Sequence, residues 1–236
     1  MKVSERLPRE TNREFAFRVI RDNIINLGLE PGCTVGEQEL ANDLGLSRTP
    51  IHEALLDLSK TKIVEIYPQR GSKIALIQYD LLSESNFIRR TMEIAVAVLA
   101  CSKATAEDLA MLEENVRLQE FYLEHPSAER IMNLDNEFHH SLYRICSKEQ
   151  CYNMVTSMSI HLDRIRNMSL YSVKDLKIVA DHRAVLEAMK ARDSEAVVRV
   201  LNKHLSRYCV DINVIMEQYP QYFAPGPWDE LYSDAV

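Results

Sequence analysis

Glycine and proline are scarce, with 6 and 8 residues in a chain of 236. So few chain breakers exclude a fold of many tight turns and favour long, uninterrupted helices. Cysteine is limited to five scattered residues, at positions 33, 101, 146, 151 and 209, with no Cys-x-x-Cys pair. An odd, dispersed set of this kind argues against a disulfide framework and for reduced thiols, so a cytoplasmic location is expected. Long apolar runs are also lacking. The longest, Ile94–Cys101, is far too short to span a bilayer, and no membrane partner is expected. The first residues, MKVSERLPRETNREF, mix both charges and lack the apolar stretch of a signal peptide.

What is present is ordinary globular composition, 46% hydrophobic and 27% charged, with a net charge of −7. The charge is unevenly placed. Residues 1–76 hold 11 basic and 11 acidic side chains, whereas residues 77–236 hold 17 and 24. A neutral first part on an acidic second part should bind DNA poorly through phosphate neutralisation alone. Any binding would depend on a few well-placed contacts and on two copies acting together.

The pattern divides the chain at 1–77, 78–218 and 219–236. Thr11 is a plausible N-cap for a helix reaching Leu27, with Gly28 at its end and Phe15, Val19, Ile20, Ile24 and Leu27 on one face. A short helix over Glu37–Leu44, a Gly45-Leu46 turn and a helix opening at Ser47 follow, with Pro50 tolerated in its first turn. Two β-branched runs, Ile63–Tyr67 and Lys73–Ile77, flank Pro68-Gln69-Arg70-Gly71. That order is a helix-turn-helix with a wing. The remainder reads as six helices near 79–102, 105–124, 127–146, 149–169, 174–191 and 194–217, joined by short connections as in a bundle. The fold class is therefore mainly α, a winged helix-turn-helix plus an all-helical bundle. The tail from Tyr219 is rich in proline and aromatics and holds the single Trp. It either docks on the bundle or is a loose end.

In the helix from Ser47, the residues Ile51, Ala54, Leu55 and Leu58 form the core stripe, leaving Arg48, Thr49, His52 and Leu56 outward. An Arg near the start of a recognition helix suits bidentate contact to guanine, and Ser47 and Thr49 suit phosphates. Arg70 and Gly71 at the wing tip suit a groove or backbone contact. The competing reading is a protein-interaction module with a solvated Arg. Residues 27–74 also resemble the winged head of GntR-family bacterial transcription regulators. The resemblance rests on Pro31-Gly32, Glu39-Leu40-Ala41, Leu46-Ser47-Arg48-Thr49-Pro50, Glu53-Ala54-Leu55 and Arg70-Gly71. It implies double-stranded operator DNA as partner, with Gln38 at a further contact position. His52 stands where that family usually has Arg, which implies a variant operator.

Helical geometry places His182 at the centre of the stripe Ile178, Val179, Val185, Leu186, Met189, and His204 at the centre of Val197, Val200, Leu201, Tyr208, Ile215. Asp135 falls within Ile131, Phe138, Leu142, Ile145, with His139 one turn on. Four polar groups thus point into an apolar interior. A divalent metal would offset the cost of burying the carboxylate. Three imidazoles and one carboxylate suit Zn²⁺ best, and also Ni²⁺, Mn²⁺ or Fe²⁺. From pattern alone, histidines satisfied by backbone carbonyls or by Asp135 remain an equal alternative. His125, His140 and His161 lie off these stripes.

The same residues resemble the FCD-type ligand-sensing domain of FadR-type regulators, with its Asp-x-x-x-His, acid-His and last-helix His. Six helices look like the VanR-type subgroup. The resemblance implies a metal held by Asp135, His139, His182 and His204, a homodimer, and a small organic-acid effector on an arginine. Arg89, at the edge of the expected stripe Leu81, Ile88, Met92, Ala95, Leu99, matches that arginine, and Arg166 is a second candidate. The reading is a DNA-binding regulator and not an enzyme. The alternative is a metal-dependent hydrolase or structural-metal bundle with an interaction-only head.

Overall fold

The structure is a computed structural model that describes residues 1–125, 127–172, 177–228 and 230. Helix α1 (Asn12–Ile25) opens with a full capping box, in which Thr11 and Glu14 satisfy each other's backbone donors. It ends earlier than expected. Asn26 caps it, and Leu27, not Gly28, takes the left-handed conformation (φ 59°). Gly28 is needed for another reason, because a Cβ there would lie 2.6 Å from the Asn23 side chain.

Strand β1 (Thr34–Val35), helices α2 (Glu37–Leu44) and α3 (Arg48–Lys60), and strands β2 (Val64–Tyr67) and β3 (Gly71–Ile74) complete the head. Gly45 at φ 65° ends α2. The antiparallel sheet runs β1-β3-β2, with Val64 opposite Ile74 and Tyr67 opposite Gly71. The two-residue β1 lies outside the strands expected from sequence. Phe15, Val19, Ile20 and Ile24 of α1 pack on Ile51, Leu55 and Leu58 of α3.

The helical body comprises α4 (Tyr79–Lys103), α5 (Ala106–Glu124), α6 (Ala128–Ile145), α7 (Glu149–Met158), α8 (Ile160–Ser172), α9 (Ile178–Lys190), α10 (Ser194–Leu205) and α11 (Tyr208–Gln218). Two of the six expected helices are each interrupted. The 149–169 helix breaks at Ser159, whose hydroxyl bonds the Val155 carbonyl at 2.8 Å and competes with the helical ladder. The 194–217 helix breaks at Ser206–Arg207. Residues 174–176, at the start of another expected helix, lie outside the described residues, as do Pro126, Asp229 and 231–236 of the tail.

The expected core stripe of α4 is corrected. Ala95 and Leu99 are exposed, and Leu81, Ile88 and Met92 are only partly buried. The buried face instead carries Leu82, Ser85, Asn86, Arg89, Glu93, Val96, Ala97 and Ala100. Apolar periodicity misplaced the inward face because α4 turns its polar residues toward the body's interior. Arg89 is thus central to the buried face, not at its edge.

The tail docks. Ile77, in the link between wing and α4, donates to the Tyr222 carbonyl and accepts from Ala224, pairing with Phe223 in a parallel bridge. Trp228 meets Tyr79 and Phe223 edge-on at 5.7 and 5.3 Å between ring centroids.

Candidate functional site

Asp135 and His139 from α6, His182 from α9 and His204 from α10 are all buried, and their ligand-type atoms lie within 4.8 Å of one another. The three Nε2 atoms form a triangle: His139 to His204 3.1 Å, His182 to His204 3.2 Å, His182 to His139 3.3 Å. Asp135 Oδ1 lies 3.5 Å from His182 Nε2. Metal–ligand bonds of about 2.0–2.1 Å imply neighbouring donor atoms about 2.9–3.4 Å apart, so these spacings suit one small cation.

Hydrogen bonding decides which ring nitrogens carry protons. The Leu134 carbonyl can only accept, so Asn115 donates its amide there at 3.1 Å. Asn115 Oδ1 therefore accepts from Gln119 at 2.6 Å, and Gln119 Oε1 accepts from His182 Nδ1 at 2.8 Å. His182 Nε2 is left with a lone pair facing the centre. Glu93 lies 2.7 Å from His139 Nδ1 and favours a proton there, though the approach is not aligned as a hydrogen bond. His139 Nε2 then also presents a lone pair. Burial first, and then the neighbouring charge of His204, pushes His182 well below its ordinary value. Burial also lowers His204, although Asp181 partly opposes it. Neutral imidazoles are the metal-binding form.

Arg166 of α8 completes the centre. It bonds Asp135 Oδ2, Asn136 Oδ1 at 2.8 Å and Asp163 at 2.5 Å. Burial raises the Asp135 carboxyl, but Arg166 and the three histidines outweigh this and hold it well below the usual carboxylate range. Sequence reasoning ranked Arg166 behind Arg89, yet Arg166 touches Asp135 directly while Arg89 pairs with Glu93 at 2.8 Å. Gln119 and Glu93 carried no signal as supports, since their roles depend on contacts between distant helices. Asp181, the acid before His182, is anchored by Arg207 at 2.8 Å.

Two cavities flank these arginines. A small one of about 60 Å³ touches Arg89, Asp135, Arg166, His204 and Arg207. A large one of about 840 Å³ lies between α1 and the body, with Asn26 on one wall and Arg89, Asn133, Asn136, Asn153 and Arg166 on the other.

On the head, Ser47, Arg48, Thr49, His52, Arg70 and Gly71 are all exposed, as is Gln38, which bonds Asn42 at 3.0 Å. Ser47 caps α3 by position, but its hydroxyl makes no cap bond and stays free to reach a phosphate. Glu37, unremarked in the sequence, accepts from Arg48 at 2.9 Å and lies 2.7 Å from His52 Nδ1. The excluded histidines have other roles. His140 meets Glu149 at 2.9 Å, and His125 stacks on Phe121. His161 bonds the Thr61 carbonyl at 2.7 Å.

Comparisons with known proteins agree with the two-part organisation. Residues 12–74 match the bacterial regulatory proteins of the gntR family, and residues 84–207 match the FCD domain. The transcriptional repressor RspR of Escherichia coli is 27% identical over 92% of this chain and 96% of its own length. The regulator McbR of the same organism is 24% identical over 81% of this chain and 86% of its own. In fold, the solved E. coli McbR/YncC structure superposes with a TM-score of 0.75 at 22% identity, covering 89% of this chain and 99% of that one. These relatives are regulators, which sets the hydrolase alternative aside. The chain belongs to the GntR-type transcriptional regulators, with a DNA-binding winged head and an FCD domain.

Proposed function

We propose that the helical body of this regulator binds one divalent cation through Asp135, His139, His182 and His204, and that a small carboxylate effector acts there to change operator binding. The observation that carries the metal reading is the 3.3 Å approach of His182 Nε2 to His139 Nε2 in a buried centre, where the Gln119 and Glu93 contacts favour a lone pair on each. Two buried acceptors facing each other repel, and a cation between them removes the repulsion. Mixed nitrogen and oxygen donors favour Zn²⁺, with Ni²⁺, Mn²⁺ and Fe²⁺ also suited. When bound, the cation supplies a positive charge able to accept a carboxylate.

Arg89 and Arg166 border both cavities beside that centre, which supports them as effector-binding residues. Exposed Ser47, Arg48, Thr49 and His52, with Gln38 and the wing residues Arg70 and Gly71, are the proposed DNA contacts. The outward apolar side of α4, with Phe87 69% and Leu99 41% exposed, supports a homodimer that pairs two heads. An effector shifts operator affinity only by its differential affinity for two arrangements of these heads. Metal analysis of the purified protein beside an Asp135→Ala/His182→Ala variant is the direct test. Equal metal content in both would sink the site.

A further inference from the structure

Both family matches end before the tail, the later one at residue 207, yet the tail is bonded to the segment that joins head and body. The chain passes from β3 to α4 through only Ala75, Leu76, Ile77 and Gln78. Ala75 donates to the Ile63 carbonyl of the head at 2.9 Å and accepts from Arg164 of the body at 2.7 Å. Ile77 is fully buried, and the tail takes both of its backbone groups. Its N–H donates to the Tyr222 carbonyl at 2.8 Å, and its carbonyl accepts from Ala224 at 2.9 Å. Such a residue is held in one backbone conformation, because turning it would strand two buried polar groups. Side chains extend the hold to both parts. Tyr222 and Phe223 are buried with Tyr208, Ile212 and Ile215 of the body, and Leu27 of the head packs on the same cluster. Burial, and then the Glu30 carboxylate of the head, raises the Tyr222 phenol. Trp228 folds back onto Tyr79, the first residue of α4, and onto Phe223.

We propose that residues 219–228 are a strap that fixes the angle of the winged head on the helical body, so that two paired heads meet only half-sites at one separation. The strap acts through the backbone of Ile77 and the apolar cluster around Phe223, at a distance from the DNA contacts themselves. This role rests on the paired-head reading above and gives the tail its part in it. Without the strap, Ile77 loses both partners, and the head gains freedom of angle about the link. Heads free to turn can reach half-sites at several separations, so discrimination between spacings falls.

The test compares the full chain with one ending at Gln218, which keeps every helix from α1 to α11. An operator is first selected from random duplexes by the full chain. Its half-sites are then moved apart by about half a helical turn, roughly five base pairs. The full chain should lose about tenfold or more in affinity, because avidity fails when two heads cannot engage together. The shortened chain should lose less than about threefold, with its helix content unchanged by circular dichroism. If the shortened chain does not fold, a full-length Phe223→Ser/Trp228→Ala variant is judged by the same measure. Equal sensitivity to spacing with and without the strap would overturn the proposal and leave the paired-head reading intact. A full chain indifferent to spacing would remove the paired-head reading itself, and this proposal with it.

Discussion

His161 on α8 donates its Nε2 proton to the carbonyl of Thr61, the residue that caps the recognition helix α3, at 2.7 Å. Its other nitrogen accepts from Arg164 at 3.1 Å, and Arg164 also donates to the Ala75 carbonyl at 2.7 Å. Arg166 on the same helix bonds Asp135. Helix α8 thus grips the head from one side and the candidate metal centre from the other. Arg164→Met is expected to keep metal and effector binding but to reduce the effector's influence on operator affinity. Operator titrations with and without effector would show this, and an unchanged ratio would exclude α8 as the link.

The same contact sets a pH dependence. Burial, followed by the Arg164 charge, pushes the His161 imidazole down to about 4 from 6.5. The folded state therefore binds fewer protons than the unfolded state between those values, so stability falls as pH falls from about 6.5 toward about 4. The loss is of the order of 3 kcal/mol at most for this one group. Denaturant titrations across that window should give a shallower slope for His161→Leu than for the native chain.

Gln119 never touches the proposed cation, yet it holds the proton on His182 Nδ1 through a relay that ends at Leu134. Gln119→Leu should weaken metal binding about 10–100-fold, the usual cost of losing such an outer support. Competition with a chromophoric chelator measures it. Affinity equal to the native protein would mean that His182 is oriented by packing alone, against Phe138 at 4.2 Å.

Glu37 holds both Arg48 and His52 on the exposed side of α3, where the proposed DNA contacts lie. Arg48→Ala should cost about 1–3 kcal/mol of specific operator binding, the worth of a bidentate arginine–guanine contact. Glu37→Gln should act differently, removing a negative charge that opposes phosphate and releasing both side chains. Non-specific affinity should rise, with discrimination between operator and random DNA reduced. Anisotropy titrations on both DNAs across a salt series separate the two effects.

Much of the head was legible because one face does one job. Ile51, Ala54, Leu55 and Leu58 alternate cleanly with exposed Arg48, Thr49 and His52, and all four are buried. The buried group of Asp135, His139, His182 and His204 was legible for the same reason, since isolated polar residues on apolar stripes stand out. Helix α4 was not, because it carries apolar residues outward and Ser85, Asn86, Arg89 and Glu93 inward. Periodicity reports which side is apolar, not which side is buried. The breaks at Ser159 and Ser206 depend on local bonding that helical spacing does not encode. The contacts of Gln119 with His182 and of His161 with Thr61 join residues 63 and 100 positions apart, so no short motif announces them.

Trp228, the chain's sole tryptophan, sits against Tyr79 and Phe223 where the tail pairs with the link between wing and body. Its indole donates to the Ala224 carbonyl at 2.9 Å. The protein therefore carries its own fluorescent label at the link between its two parts. Any rearrangement that strips the tail from Ile77 would move that ring into water and shift its emission to the red, so the proposed coupling of metal and effector to DNA binding can be tested optically without attaching a dye.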